Sequence, residues 1–307
     1  MVVFTENLKK QGYLETLEMT LGIVGSRKMR SDDNYGSGNW QIFAPHLTIY
    51  GFDADADACL ANNLELEERN VNWKERHIPL AISDEIGTST LYVTQGVDCS
   101  SLYAPNEDYL RRFHALNEHI KLDFSVDIET TTLDYFCESE KIQNMHFLNL
   151  DIQGAELKVL EGAEKLCDRG VMAIQMEVEF SPIYCDQPLF SEVDAYLRSR
   201  GFALFDLMTD HPMCRRPRSV SPIYSQRRIG QLLWADALYF RDPISDRDRP
   251  INQDPKNILA LACIADILDY PDYALELLLF LTENYGENPD YQLTDCINEA
   301  VRSKTVS

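Results

Sequence analysis

Several carboxylates and two glycines stand where short apolar runs of this chain give way to polar segments, and these are the residues with usable chemistry. Asp53 ends the run LTIYGFD, Asp151 ends HFLNLD, and Glu177 and Glu179 lie within VMAIQMEVEF. A carboxylate at a strand end can accept two hydrogen bonds from the vicinal hydroxyls of a ribose, which suits Asp53 to an adenosine cofactor. The competing reading is a turn-forming Asp at the start of the acidic run DADADA. Asp151 is followed by Gln153 and Gly154, and the glycine permits close backbone approach to a ligand. Its competing role is to help begin the next helix. Glu177 and Glu179 project to one sheet face because strand side chains alternate, so one of them can point at a substrate; otherwise they form a solvated strand end. A divalent metal held by Asp151 and Glu177 is a further use of the same oxygens, but no metal is assigned.

The six histidines form no HxxxH or HxH pair. His114 and His119, near the Ser-Ser-Leu segment, are candidate general bases, against the plainer reading of surface residues. Arg215, Arg216, Arg218, Arg227 and Arg228 make the one basic patch of an acidic chain. They suit either a phosphate or carboxylate of a substrate or the balancing of nearby acids.

These residues must be positioned by alternating strands and helices. Residues 1–20 read as a helix, and 20–25 as a short buried strand followed by a Gly-, Ser- and Asp-rich loop. Residues 47–52 form a strand, followed by a helix capped by Asp55 or Asp57. HIPLAIS at 77–83 is a third strand, and STLYVT at 89–94 suggests a hairpin after Gly87. Residues 146–151 are a short strand, and GAELKVLEGAEKL at 154–166 is the clearest helix, with an apolar face recurring at helical spacing and Glu161 and Lys165 four apart. Residues 171–180 form a strand, a helix capped by Ser191 and stopped by Gly201 comes next, and two final strands look like an antiparallel pair. The pattern implies an α/β fold: a Rossmann-like, mostly parallel seven-stranded sheet with helices on both faces. Beyond a polar, proline-containing linker at 244–255, two Leu-rich stretches around Pro271 form a C-terminal helical hairpin over 256–307. That hairpin is either a packed cap over the sheet or a contact for a homodimer or another partner, since its apolar faces exceed what one hairpin buries internally.

Composition narrows the classes. The chain has 307 residues, 45% hydrophobic and 25% charged, with a formal net charge of −22. It is globular rather than disordered, and its charge repels nucleic acid and anionic membrane surfaces. Eight scattered cysteines form no CxxC pair, and their spacing gives no zinc site and no disulfide framework, which predicts free thiols in a reducing compartment. No N-terminal apolar stretch suits a signal peptide and no run is long enough to span a membrane, so the expected location is cytoplasmic.

Taken in order, the segments resemble the FkbM-type methyltransferases over roughly residues 20 to 243. LNLDIQGAELKVLEGAEKL resembles the family's D-x-[EQ]-G-x-E strand-to-helix signature, and IYGFDADADACLANN its second strand with a ribose-binding acid. PLAISDEIGTSTLYVT, CSSLYAPN, the stretch from Ile174 to Leu207 and GQLLWADALYFRD are similar to its later segments. The resemblance implies S-adenosyl-L-methionine as cofactor and methyl transfer to a hydroxyl, commonly on a sugar or related small molecule. Carried over by position, Gly22, Gly25 and Ser26 would lie near the methionine part, Asp53 would hold the ribose, and Ala81, Ile82 and Ser83 would border the adenine. Asp151 would face the sulfonium and the acceptor, serving as base with Glu179 or His114 behind it. The chain departs from the family in the segment after the first strand, where no acid and closely spaced glycines follow; Asp32 and Asp33 come later and are possible substitutes. A second reading follows from that departure, a methyltransferase-like binding module without catalysis that docks through its C-terminal helices. A nicotinamide-dependent reductase is disfavoured, because GSGNW does not supply G-x-G-x-x-G.

Overall fold

The computed structural model describes residues 2–28, 38–209, 214–218, 223, 225, 227 and 230–305. Asp32, Asp33, His211 and Arg228 lie outside the described residues. The strands, in chain order, are β1 (Met19–Val24), β2 (Leu47–Asp53), β3 (Lys74–Pro79), β4 (Ala81–Ile82), β5 (Gly87–Thr94), β6 (Leu122–Thr131), β7 (Phe147–Leu150), β8 (Ala173–Glu179), β9 (Phe202–Met208), β10 (Arg215–Arg216), β11 (Gln231–Leu232) and β12 (Trp234–Arg241).

Seven of them form the main sheet in the order β3-β2-β1-β7-β8-β12-β9. The first five run parallel, and β12 pairs antiparallel with both β8 and β9. This is the mostly parallel seven-stranded sheet, with the terminal antiparallel pair, that the sequence pattern implies. The chain builds outward from β1 to β3 and then restarts on the other side of β1 with β7. The strand order therefore reverses at the β1/β7 junction, where open α/β sheets leave a crevice beyond the carboxyl ends of their strands.

Two apolar layers hold the sheet. On one face, Val24, Phe52, Leu148, Leu150, Ile174 and Met176 pack against helices Leu133–Ser139, Glu156–Glu161, Glu164–Gly170 and Phe190–Ser199. On the other, Met19, Leu21, Ile23, Leu47, Ile49, Leu238 and Phe240 pack against helices Pro255–Ile267, Pro271–Tyr285 and Thr294–Thr305. The C-terminal helices thus cover the sheet and share its core. Leu261, Ile264 and Leu278 are fully buried there, while Leu279 faces outward. Thr294–Thr305 is a third helix beyond the expected hairpin.

The N-terminal segment is tied to the same layer. Buried Asp266, near the end of helix Pro255–Ile267, accepts hydrogen bonds from the backbone N–H of Val3, Phe4 and Thr5 and from the Thr5 hydroxyl, at 2.8–3.1 Å. Those amides are the otherwise unpartnered donors that open the first helix.

The structure corrects several local expectations. The first helix covers only Thr5–Lys10, not residues 1–20, because the chain turns at Gly12 with φ +87°. STLYVT makes no hairpin with the preceding strand. β5 instead pairs antiparallel with β6, and β4 pairs parallel with β6, in a separate three-stranded sheet. The expected helix over 154–166 is two helices broken at Gly162–Ala163, because Gly162 passes against the backbone of Ser83, where a Cβ would lie 2.1 Å from its carbonyl oxygen. Asp134 caps the second of these, accepting from the N–H of Lys165 and Leu166. Ser191 caps nothing: the cap position of helix Phe190–Ser199 is Leu189, whose N–H donates to the Glu192 carboxylate. Asp55, one of two expected caps, does cap helix Ala56–Arg69.

Candidate active site

Register brings the singled-out residues together. Val24 of β1 stands opposite Phe52 of β2 and Leu150 of β7, so Gly25, Asp53 and Asp151 are each one residue further along three adjacent strands. The backbone continues that pairing past the strands. The N–H groups of Gly25 and Ser26 both donate to the Phe52 carbonyl, and the Asp151 N–H donates to the Val24 carbonyl. Gly25 has φ +84°, and a Cβ there would lie 1.9 Å from the Asp151 carbonyl oxygen. Only glycine fits where β1 leaves the sheet.

Beyond these strand ends lies a cavity of about 580 Å³, within the ~300–1,000 Å³ common for small-molecule sites. Gly25, Asp53, Ala81, Ile82 and Asp151 all line it. The Asp53 carboxylate is fixed by backbone donors, Oδ1 accepting from the Asp55 N–H at 2.9 Å and Oδ2 from the Arg27 N–H at 3.0 Å. Each oxygen keeps accepting capacity for a further partner. Burial pushes its pKa up, against the pull of those two bonds.

Asp151 lines the cavity. Its Oδ1 accepts from Gln153 Nε2 at 2.8 Å, and the same amide donates to Glu177 at 2.7 Å. The Tyr184 hydroxyl lies 3.2 Å from Gln153 Oε1 and donates to the Cys99 carbonyl at 2.8 Å. Burial raises the Asp151 pKa, partly offset by the Gln153 bond, and nearby Asp98 raises it further. Glu177 and Glu179 are likewise pushed well up by burial and by neighbouring carboxylates. Gln153 is held in the left-handed region at φ +59°, followed by Gly154 at +91°. Backbone in that region is costly for a side-chain-bearing residue and persists only where the surroundings impose it. Here Glu156 accepts from the Ile152 N–H at 2.8 Å, and the Ser101 hydroxyl donates to the Gln153 carbonyl at 2.7 Å.

Other singled-out residues stand away from the cavity. Gly22 is buried inside β1, where a Cβ would meet Leu148 and Met145 at 2.8 Å. Ser26 is buried, with its hydroxyl 3.0 Å from His77 Nδ1. Ser83 is buried and donates to Asp84. Glu179 is buried, and neither it nor Glu177 lines the cavity. His114 is exposed, its N–H reaching the Pro217 carbonyl. The segment bearing it packs through Leu110, Phe113, Leu116 and Ile120 onto Ile183 and Tyr184. Of the arginine patch, the described members do not line the cavity either.

The sequence reading missed three contributors. Arg27 lines the mouth and pairs with Asp55 at 2.8 Å. Asp98 and Gln95, after β5, face the cavity. β6 supplies an apolar wall of Phe124, Val126 and Ile128. That last signal was readable: in LDFSVDIETT, apolar residues alternate with polar ones at the strand period.

A doubly covered, mostly parallel sheet with a cavity at its order reversal, flanked by an acid on each side of a glycine turn, is a Rossmann-like fold with its crevice where such folds take ligands. The Methyltransferase FkbM domain family matches residues 38–204, more than half of the chain, and the chain belongs to that family. No curated protein sequence matches it. Among solved structures, magnesium protoporphyrin IX methyltransferase from Synechocystis PCC 6803 with bound SAM is 8% identical, over 78% of this chain and 80% of that one, with a TM-score of 0.34. SMU.1697c from Streptococcus mutans, in complex with SAH, is 12% identical over 79% and 100%, with a TM-score of 0.32. Likenesses this distant carry no functional weight. Among the described residues, no helix is long and apolar enough to cross a membrane.

Proposed function

We propose that this chain is an S-adenosylmethionine-dependent methyltransferase acting on a hydroxyl of a sugar or related small molecule. The observation that carries the reading is the row Asp53–Gly25–Asp151 across three neighbouring strand ends on one cavity. The donor set fits the cofactor. Both Asp53 oxygens have accepting capacity left for the ribose hydroxyls, the Gly25 turn offers bare backbone beside the methionine part, and Ala81 and Ile82 give the adenine an apolar border.

The cofactor supplies a methyl group already activated by its sulfonium. What the chain contributes is placement and proton transfer. Holding the acceptor oxygen near attack distance removes much of the entropic barrier. Asp151 takes the hydroxyl proton. Its raised pKa makes it a stronger base than an ordinary aspartate. Gln153, bridging to Glu177 and held by Tyr184, keeps the Asp151 carboxyl oriented.

Titration calorimetry with S-adenosylhomocysteine tests the reading. Wild type is expected to bind, and Asp53→Ala to lose at least tenfold in affinity, or about 1.4 kcal/mol. Asp151→Asn is expected to keep binding and lose turnover. If wild type has no affinity at millimolar ligand, the binding-module alternative takes its place. If Asp53→Ala binds as wild type does, the site assignment fails.

A further inference from the structure

At the rim of the cavity, Asp98, Cys99 and His119 bring one ligand atom each within 4.8 Å of one another. Asp98 lines that cavity, whereas Cys99 and His119 do not. We propose that these three side chains bind a zinc ion, with a fourth position open to water or to an oxygen of the acceptor.

The donor set selects the metal. A thiolate, an imidazole and a carboxylate together suit zinc, whereas magnesium and calcium take oxygen ligands almost exclusively. Three protein ligands with one place free is the composition of zinc sites that act on a bound molecule rather than only brace a fold.

The site is built by the backbone. Asp98 and Cys99 belong to the single 3-10 turn Val97–Cys99 that follows β5. His119 ends the short helix Leu116–His119, just before β6. The two segments are stitched by Gly96 N–H to the His119 carbonyl and Gln95 N–H to the Lys121 carbonyl, both at 2.9 Å. Gly96 makes room for the imidazole, since a Cβ there would lie 2.5–2.8 Å from three of its ring atoms. The Thr94 hydroxyl fixes the Gly96 carbonyl at 2.6 Å, and Tyr184 fixes that of Cys99. His119 Nε2 already lies 3.2 Å from Asp98 Oδ1, close to the separation of two ligands on one tetrahedral zinc, so assembly requires mainly that the thiol close in.

Charge favours the ion. The carboxylates of Asp98, Glu177 and Asp151 all act on the surroundings of Cys99. The same carboxylates attract a dication, whose charge would bring the thiol down to a bound thiolate. On the methyltransferase reading, on which this clause alone rests, the open position is where an acceptor hydroxyl would be polarised.

The test uses the full chain stripped with chelator and titrated with zinc against a chromogenic competitor, with no cofactor present. One equivalent is expected to bind, and Cys99→Ser and His119→Ala are each expected to weaken it at least tenfold. Cobalt in place of zinc should give a thiolate-to-metal charge-transfer band that Cys99→Ser abolishes and Cys185→Ser, at the exposed cysteine, leaves intact. Absence of a stoichiometric site, or a site that survives both ligand variants, overturns the proposal. S-adenosylhomocysteine affinity of the same variants is expected to match wild type. Zinc binding without cofactor binding would sink the methyltransferase reading and leave the metal site standing, and the reverse result would do the opposite.

Discussion

At the scale of single residues, two positions carry sharp expectations. Gly25→Ala places a methyl group against the Asp151 carbonyl in a backbone region that alanine avoids. It is expected to cost about 2 kcal/mol or more in stability, read by chemical denaturation, and to abolish S-adenosylhomocysteine binding in calorimetry. Glu156 is the second. Burial pushes its carboxyl up to about 8, against the pull of backbone bonds such as that from Ile152. Folding therefore favours the protonated form. The associated stability is complete below the ordinary value of 4.5 and is lost as pH rises through about 8. Glu177 and Glu179, also raised, act in the same direction. Glu75 and Asp84, both lowered, act only in more acid solution. The melting temperature is thus expected to fall between pH 5 and 8. Glu156→Gln, which can still accept the Ile152 N–H, should flatten that fall; a slope as steep as wild type would remove Glu156 as its source. Asp53 and Asp151 were legible in the sequence because each ends an apolar run, where a parallel sheet puts its crevice. Ser26 and Ser83 were placed by position alone, and nothing in a sequence shows that a hydroxyl turns inward to His77 or Asp84.

Among the elements, β12 shows most clearly what pattern reading gets right and what it omits. Its apolar run and its antiparallel pairing with β9 follow from two strands with no helix between them. Its last residue does not follow. Arg241 is fully buried, stacked on Phe202 at 3.9 Å, and donates to the carbonyls of Val171, Arg200 and Cys167, with no ion-paired acid among the described residues. Burial lowers its pKa to about 10. The planar guanidinium spreads these bonds over Nε, Nη1 and Nη2, a spacing that the compact ammonium of a lysine does not reproduce. Arg241→Lys is therefore expected to destabilise by about 3 kcal/mol, measured as a shifted denaturation midpoint at unchanged slope. The expected hairpin at β5 and the expected unbroken helix after Gly154 failed for one physical reason. Each depended on a distant segment, β6 in the first case and the Ser83 backbone in the second, and local periodicity carries no information about either.

For the whole molecule, the decisive fact is that residues 255–305 cover one face of the main sheet. Composition and periodicity marked them as apolar helices, but their partner could be named only once the sheet was seen to have an uncovered face. Ending the chain at residue 243 is expected to give aggregated or molten protein, judged by lost near-ultraviolet dichroism and by dye binding. Asp266→Ala should leave three backbone amides of the first turn without their acceptor. It is expected to cost about 3 kcal/mol and to speed hydrogen exchange at Val3, Phe4 and Thr5. This clamp joins residues more than 260 positions apart, and it sets a timetable for synthesis. On the ribosome, the strands that carry Asp53 and Asp151 emerge early but stay greasy on one side until the closing helices leave the exit tunnel. Until then the nascent chain is expected to need chaperones, so cells short of them should lose this protein sooner than one whose sheet seals itself, which a pulse-chase in depleted cells would read.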